Sequence, residues 1–99
     1  MTMTLEIETE TTGRYADASE GDLHRLVSQL DESNCYVVLH GGDGRFAQAA
    51  LERRSDASFT GKFIVEYALK SGTLRQATVD TTERAYELLA GWAYNRSGW

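Results

Sequence analysis

Residues 35–51, CYVVLHGGDGRFAQAAL, constrain the fold more than any other part of the chain. Residues 35–40 are β-branched, aromatic and nearly continuous in apolar character, which marks a strand in the middle of a sheet, covered on at least part of both faces. Gly41, Gly42, Asp43 and Gly44 follow, residues that tolerate positive φ and so favour a tight reversal. Residues 45–51 then extend again, weakened as a strand by Ala47, Ala49 and Ala50. A hairpin at the centre of a sheet is the simplest structure these residues can make.

The rest of the chain is read around that hairpin. In residues 3–10, Met3, Leu5, Ile7 and Thr9 alternate with Thr4, Glu6, Glu8 and Glu10, the period of a half-buried strand. Residues 11–18 are a polar connection. Ser19 precedes Leu23, Leu26, Val27 and Leu30, whose spacing makes one apolar stripe of a helix ending within residues 31–34. Asp22, three residues after Ser19, completes an approximate capping box. His24 falls beside the stripe, as a helix-flank residue.

Residues 52–61, ERRSDASFTG, lack periodicity and read as a loop in which Phe59 is a lid over the core or an exposed anchor. Residues 62–69 alternate strongly and form a hairpin with residues 73–79, turning at Lys70, Ser71 and Gly72. Asp80 and Glu83 then mark the start of a helix whose stripe is Ala85, Leu88, Leu89 and Trp92. The predicted order is β-α-β-β-β-β-α. Its expected form is a single α+β domain over residues 1–99, a two-layer, mainly antiparallel five-stranded sheet with two helices on one face.

Composition narrows the functional classes. The formal charge of −5 is unevenly placed: residues 1–44 hold nine acidic and two basic side chains, residues 45–99 six acidic and eight basic. Such a surface does not suit direct nucleic-acid binding, and it does suit a basic protein partner. No apolar run reaches the ~20 residues that span a bilayer, and no basic leader precedes an apolar block, so a cytoplasmic location away from membranes is the expectation. Cys35 is the single cysteine, which excludes an internal disulfide. At the start of a strand it reads as a small buried packing residue, the alternative being an exposed reactive thiol.

The chemistry-bearing residues do not assemble into a catalytic motif. His40-Gly41-Gly42 has the form of an oxyanion-hole segment, but the chain has no G-x-S-x-G nucleophile elbow to accompany it. A phosphate cradle requires the glycines to lead into a helix, and residues 45–51 read as a strand. His24, His40 and Cys35, the strong transition-metal donors, have no recognised ligand spacing. The expectation is therefore no enzyme activity, no cofactor and no metal. A small enzyme using His40 and Asp43 is the least favoured class.

The helix followed by a strand, the run Gly42-Asp43-Gly44-Arg45-Phe46, the hairpin FIVEYALKSGTLRQA and a closing helix with Trp99 at the chain end form a pattern over residues 19–99. This pattern resembles the family numbered one among the immunity proteins of bacterial polymorphic toxin systems. The resemblance implies a non-catalytic antitoxin-like protein that binds and blocks a cognate toxin, such as a basic nuclease or deaminase, inside the producing cell. It assigns no binding residue.

An acidic surface accelerates encounter with a basic partner. That places the expected contact surface on Glu6, Glu8 and Glu10, with Asp43 and the loop around Asp56 and Phe59. Trp99 is either folded onto the sheet or a binding anchor. The alternative function is a general protein-interaction or ligand-binding module, homo-oligomeric or associated with phage or secretion. The sequence leaves the oligomeric state open.

Overall fold

The structure is a computed structural model that describes residues 5–41, 44–69 and 71–94. Among these, β1 (Leu5–Thr9), β2 (Gly13–Tyr15), β3 (Tyr36–Gly41), β4 (Phe46–Arg53), β5 (Phe59–Ala68) and β6 (Leu74–Val79) form one antiparallel sheet. Its spatial order is β2-β1-β3-β4-β5-β6. Two helices, α1 (Glu20–Ser28) and α2 (Thr82–Tyr94), cover one face, giving the expected two-layer α+β architecture. No helix among the described residues is long and apolar enough to cross a membrane.

Strand alternation builds the core. Leu5, Ile7, Val37, Leu39, Ala47, Ala49, Leu51, Phe63, Val65 and Val79 turn inward, where they meet Leu23, Leu26 and Val27 of α1 and Ala85, Leu88, Leu89 and Trp92 of α2. The alanines that weaken β4 on propensity are completely buried at positions 47 and 49. They lie in one of the strands over which α2 packs, beside β5, so their small size admits the helix. The two helices are also tied to each other: Tyr86 Oη donates to Glu20 Oε2 at 2.6 Å, and the His24 ring meets Tyr86 edge-on with Nε2 3.1 Å from Glu83 Oε2.

Several boundaries differ from the sequence reading. The sheet has six strands rather than five, because residues 13–15 pair with β1 through Ile7↔Tyr15, Glu8↔Arg14 and Thr9↔Gly13. Thr12 N–H donates to Thr9 Oγ1 at 2.9 Å, and Gly13 adopts φ +65°, which turns the chain back. A strand of three exposed residues is too short for alternation to be visible. Helix α1 ends at Ser28, short of residues 31–34, with Gln29 as its C-cap. Leu30 nevertheless remains in the core beyond the helix end.

Half of the expected loop at residues 52–61 is strand. β4 continues to Arg53 and β5 begins at Phe59, with the chain reversing between Arg54 and Ser58. Gly61 at φ +90° accompanies a register shift between Leu51 and Arg53, where Phe59 keeps the phase of Phe63 but the glycine leaves a gap in the apolar alternation that hides the strand. At α2 the cap is Thr81 rather than Asp80: Thr81 Oγ1 accepts from Arg84 N–H at 3.1 Å. Cys35 is half-buried just before β3, not enclosed in the core. Arg53 Nη2 donates to its sulfur at 2.9 Å.

Candidate partner-binding surface

Among the described residues no element covers the sheet face turned away from the helices, and its composition follows from strand phase. If Val37 and Leu39 point into the core, Tyr36, Val38 and His40 must point out; all three are half-buried. By register, Glu8, Val38, Gln48, Glu66 and Gln76 lie in one row across the sheet, while Glu6, His40 and Phe46 lie in the next. Tyr36, Ala50 and Ile64 form the row on the other side. The row of Tyr36, Ala50 and Ile64 is thus apolar and aromatic and adjoins Val38, whereas the middle row continues through the polar Gln48, Glu66 and Gln76, with further carboxylates at the β1 side.

Glu6 and Glu8 stand on this face as the alternation predicts, but they are not isolated. Arg14 Nη1 donates to Glu6 Oε2 at 2.7 Å, and its Nε lies 3.7 Å from Glu8 Oε1. His40 Nε2 is 3.2 Å from the same Glu8 oxygen and 3.5 Å from Arg14 Nη2. The short strand β2 delivers Arg14 directly opposite Glu8. The pairs are solvent-accessible, so they orient the carboxylates more than they stabilise the fold. Further along, Gln48 Nε2 donates to Glu66 Oε1 at 2.9 Å and fixes a third carboxylate on the same face.

The remaining predicted residues lie elsewhere. Glu10 is beyond the end of β1, where its Oε1 accepts from Cys35 N–H at 2.8 Å. Asp56 is in the β4–β5 turn, accepting from both Ser58 N–H at 3.0 Å and Ser58 Oγ at 2.6 Å. The Ser58 hydroxyl, then the Ser58 amide, hold the Asp56 carboxyl below the usual aspartate value. Phe59 is half-buried, its ring meeting Phe63 edge-on at 5.5 Å between centroids. Through Cys35, which contacts both Glu10 and Arg53, these three residues belong to the end of the sheet where β4 turns into β5. Asp43 and Trp99 lie outside the described residues.

The expected surface therefore separates into a pair on the open face, Glu6 and Glu8, and a group at one end, Glu10, Asp56 and Phe59. Sequence reasoning did not place Arg14, Tyr36, Phe46, Ile64 or Glu66 on a common face with the first pair. The phase of β3 carried the signal for Tyr36, whereas Arg14 depended on a strand too short to read. Searches against protein-family models, curated proteins and solved structures find no match for this chain.

Proposed function

We propose that this chain is a non-catalytic, immunity-type inhibitor that uses the open sheet face to cover a basic protein toxin in the cytoplasm of the producing cell. One observation carries the proposal: oriented carboxylates stand beside half-buried Tyr36, Val38, Ala50 and Ile64 on a sheet face that no element among the described residues covers. Aromatic side chains supply contact area at the centre of protein interfaces, and bordering charges set encounter rate and orientation. A nuclease or deaminase, whose nucleic-acid cleft is basic, is the class of partner that such a face complements.

The test is co-expression with the protein encoded beside this one, measuring both cell survival and complex formation. Survival with the native chain, lost on Ile64→Arg/Tyr36→Ala and slowed in association by Glu66→Lys, is the expected result. If the neighbouring protein is harmless alone, or survival persists with all three changes in well-folded protein, the reading is wrong.

A further inference from the structure

The two edges of the sheet are unlike. The β2 edge is three residues long and carries Arg14, both devices that discourage another strand from adding there. The β6 edge is a regular strand of six residues, LRQATV, paired to β5 without interruption from Ala68↔Leu74 to Phe63↔Val79. It has no lysine, no proline and no bulge, and its Leu74 is 53% exposed.

The direction of its backbone groups follows from the adjoining turn. Leu69 N–H donates to Thr73 C=O at 2.9 Å, so Thr73 faces β5. By alternation Arg75, Ala77 and Val79 also bond inward, while Leu74, Gln76 and Thr78 direct their N–H and C=O groups outward. Among the described residues nothing meets these donors and acceptors, which call for another strand.

We propose that β6 pairs antiparallel with β6 of a second copy of this chain, joining two sheets across a two-fold axis. The strand is complementary to itself in that arrangement. With Gln76 opposite its own counterpart, Leu74 lies against Thr78, and Arg75, the strand's single charged side chain, lies against Ala77. A parallel in-register pair would instead bring the two arginines side by side. The charge distribution agrees: Glu6 and Glu8 are on β1, four strands from the joining edge, so each copy keeps its acidic end away from the other. The joined sheet leaves both open faces uncovered, and this inference stands independently of the proposed inhibitor role.

Sedimentation equilibrium of the full chain over 10- to 100-fold dilution tests it, with an expected mass twice the 11.0 kDa of one chain at the upper concentrations. Leu74→Lys/Thr78→Lys sets like charges opposite each other and should sediment as one chain. Leu74→Lys/Thr78→Glu sets opposite charges together and should restore the doubled mass. Thermal melts at a dilution where only single chains are present check that both variants fold; their altered side chains lie on the exposed outer face of the edge. A native chain that stays single throughout overturns the proposal. So does a doubled mass in the first variant, or a single chain in both.

Discussion

Ala57 holds, in the turn between β4 and β5, the backbone position that Gly72 holds in the turn between β5 and β6. In each, the residue before the reversal bonds to the residue four later: Arg54 N–H to Ser58 C=O and Leu69 N–H to Thr73 C=O, both at 2.9 Å. In each, the left-handed residue donates back, Ala57 N–H to Arg54 C=O at 2.8 Å and Gly72 N–H to Leu69 C=O at 2.9 Å. The φ values are +70° and +89°. Gly44, at +85°, makes the equivalent bond to Gly41 C=O in the β3–β4 turn. Three hairpins share one turn design, and one of them places an alanine where the others place glycine.

Replacing Ala57 with glycine removes the clash of Cβ with the backbone, a cost of about 1–2 kcal/mol in the left-handed region. The freer unfolded chain returns roughly 0.4–1 kcal/mol of that gain. A net stabilisation of about 0.5–1 kcal/mol is expected for Ala57→Gly, read as an upward shift in denaturant midpoint with unchanged slope. Gly72→Ala should move the midpoint the other way by a similar amount.

Trp92 has two roles that substitutions can separate. Its ring is buried in the core, and its Nε1 donates to Ala68 C=O at 2.7 Å, tying α2 to the end of β5. Arg45 stacks over the outer part of the ring, 5.5 Å from the centroid. Trp92→Ala should cost about 3–5 kcal/mol. Trp92→Phe keeps much of the volume but leaves the carbonyl without this donor, at about 1–3 kcal/mol. Equal losses in the two variants, measured by chemical denaturation, would show that the hydrogen bond rather than the volume dominates.

Ala49 is fully buried between Val37 and Val65 in neighbouring strands, on the face that meets α2. Ala49→Leu raises strand propensity slightly and adds apolar volume, yet it has no space to fill. The expected outcome is destabilisation of about 1–3 kcal/mol by overpacking. A higher melting temperature would contradict the close approach of helix and sheet.

At the start of α1, Ser19 Oγ accepts from Asp22 N–H at 3.1 Å, while Asp22 Oδ2 accepts from Ser19 N–H at 2.9 Å. The Ser19 amide, then the Ser19 hydroxyl, lower the Asp22 pKa from 3.8. A lowered folded-state pKa gives stability that is present above the unfolded value and is lost as pH falls through the folded one. Asp22→Asn should therefore flatten the stability curve below about pH 4, relative to the native chain. Ser19→Ala should cost roughly 0.5–2 kcal/mol at neutral pH. Denaturation at pH 7 and at pH 3 checks both.

The fold was legible wherever one regular period ran without interruption. Leu5 and Ile7, the α1 stripe and the β5–β6 hairpin were all placed by spacing, and Gly72 was correctly matched to its turn. What escaped reading has a local physical cause in each case. Gly61 leaves a gap in the apolar alternation between Phe59 and Phe63, so Phe59 looked like a loop residue; Gly13 and Tyr15 had only three positions in which to show a period. The candidate surface was less legible than the core. Glu6 and Glu8 announce a solvated strand face, but Arg14, Phe46 and Ile64 join them only through strand order, and strand order is not written in any single segment.

That order also sets the sequence of assembly. β3 to β6 are joined by short turns, so each pairing closes a small loop, whereas β1 reaches β3 only after β2 and α1 have been passed. Loop closure of that span costs more entropy before any contact is made. The four-strand meander should therefore gain amide protection first during refolding, and β1 with Glu6 and Glu8 should dock late. Late docking makes the acidic strand a reporter of completed folding: an immature chain would present Tyr36, Val38 and Ile64 with Glu66 but without Glu6 and Glu8.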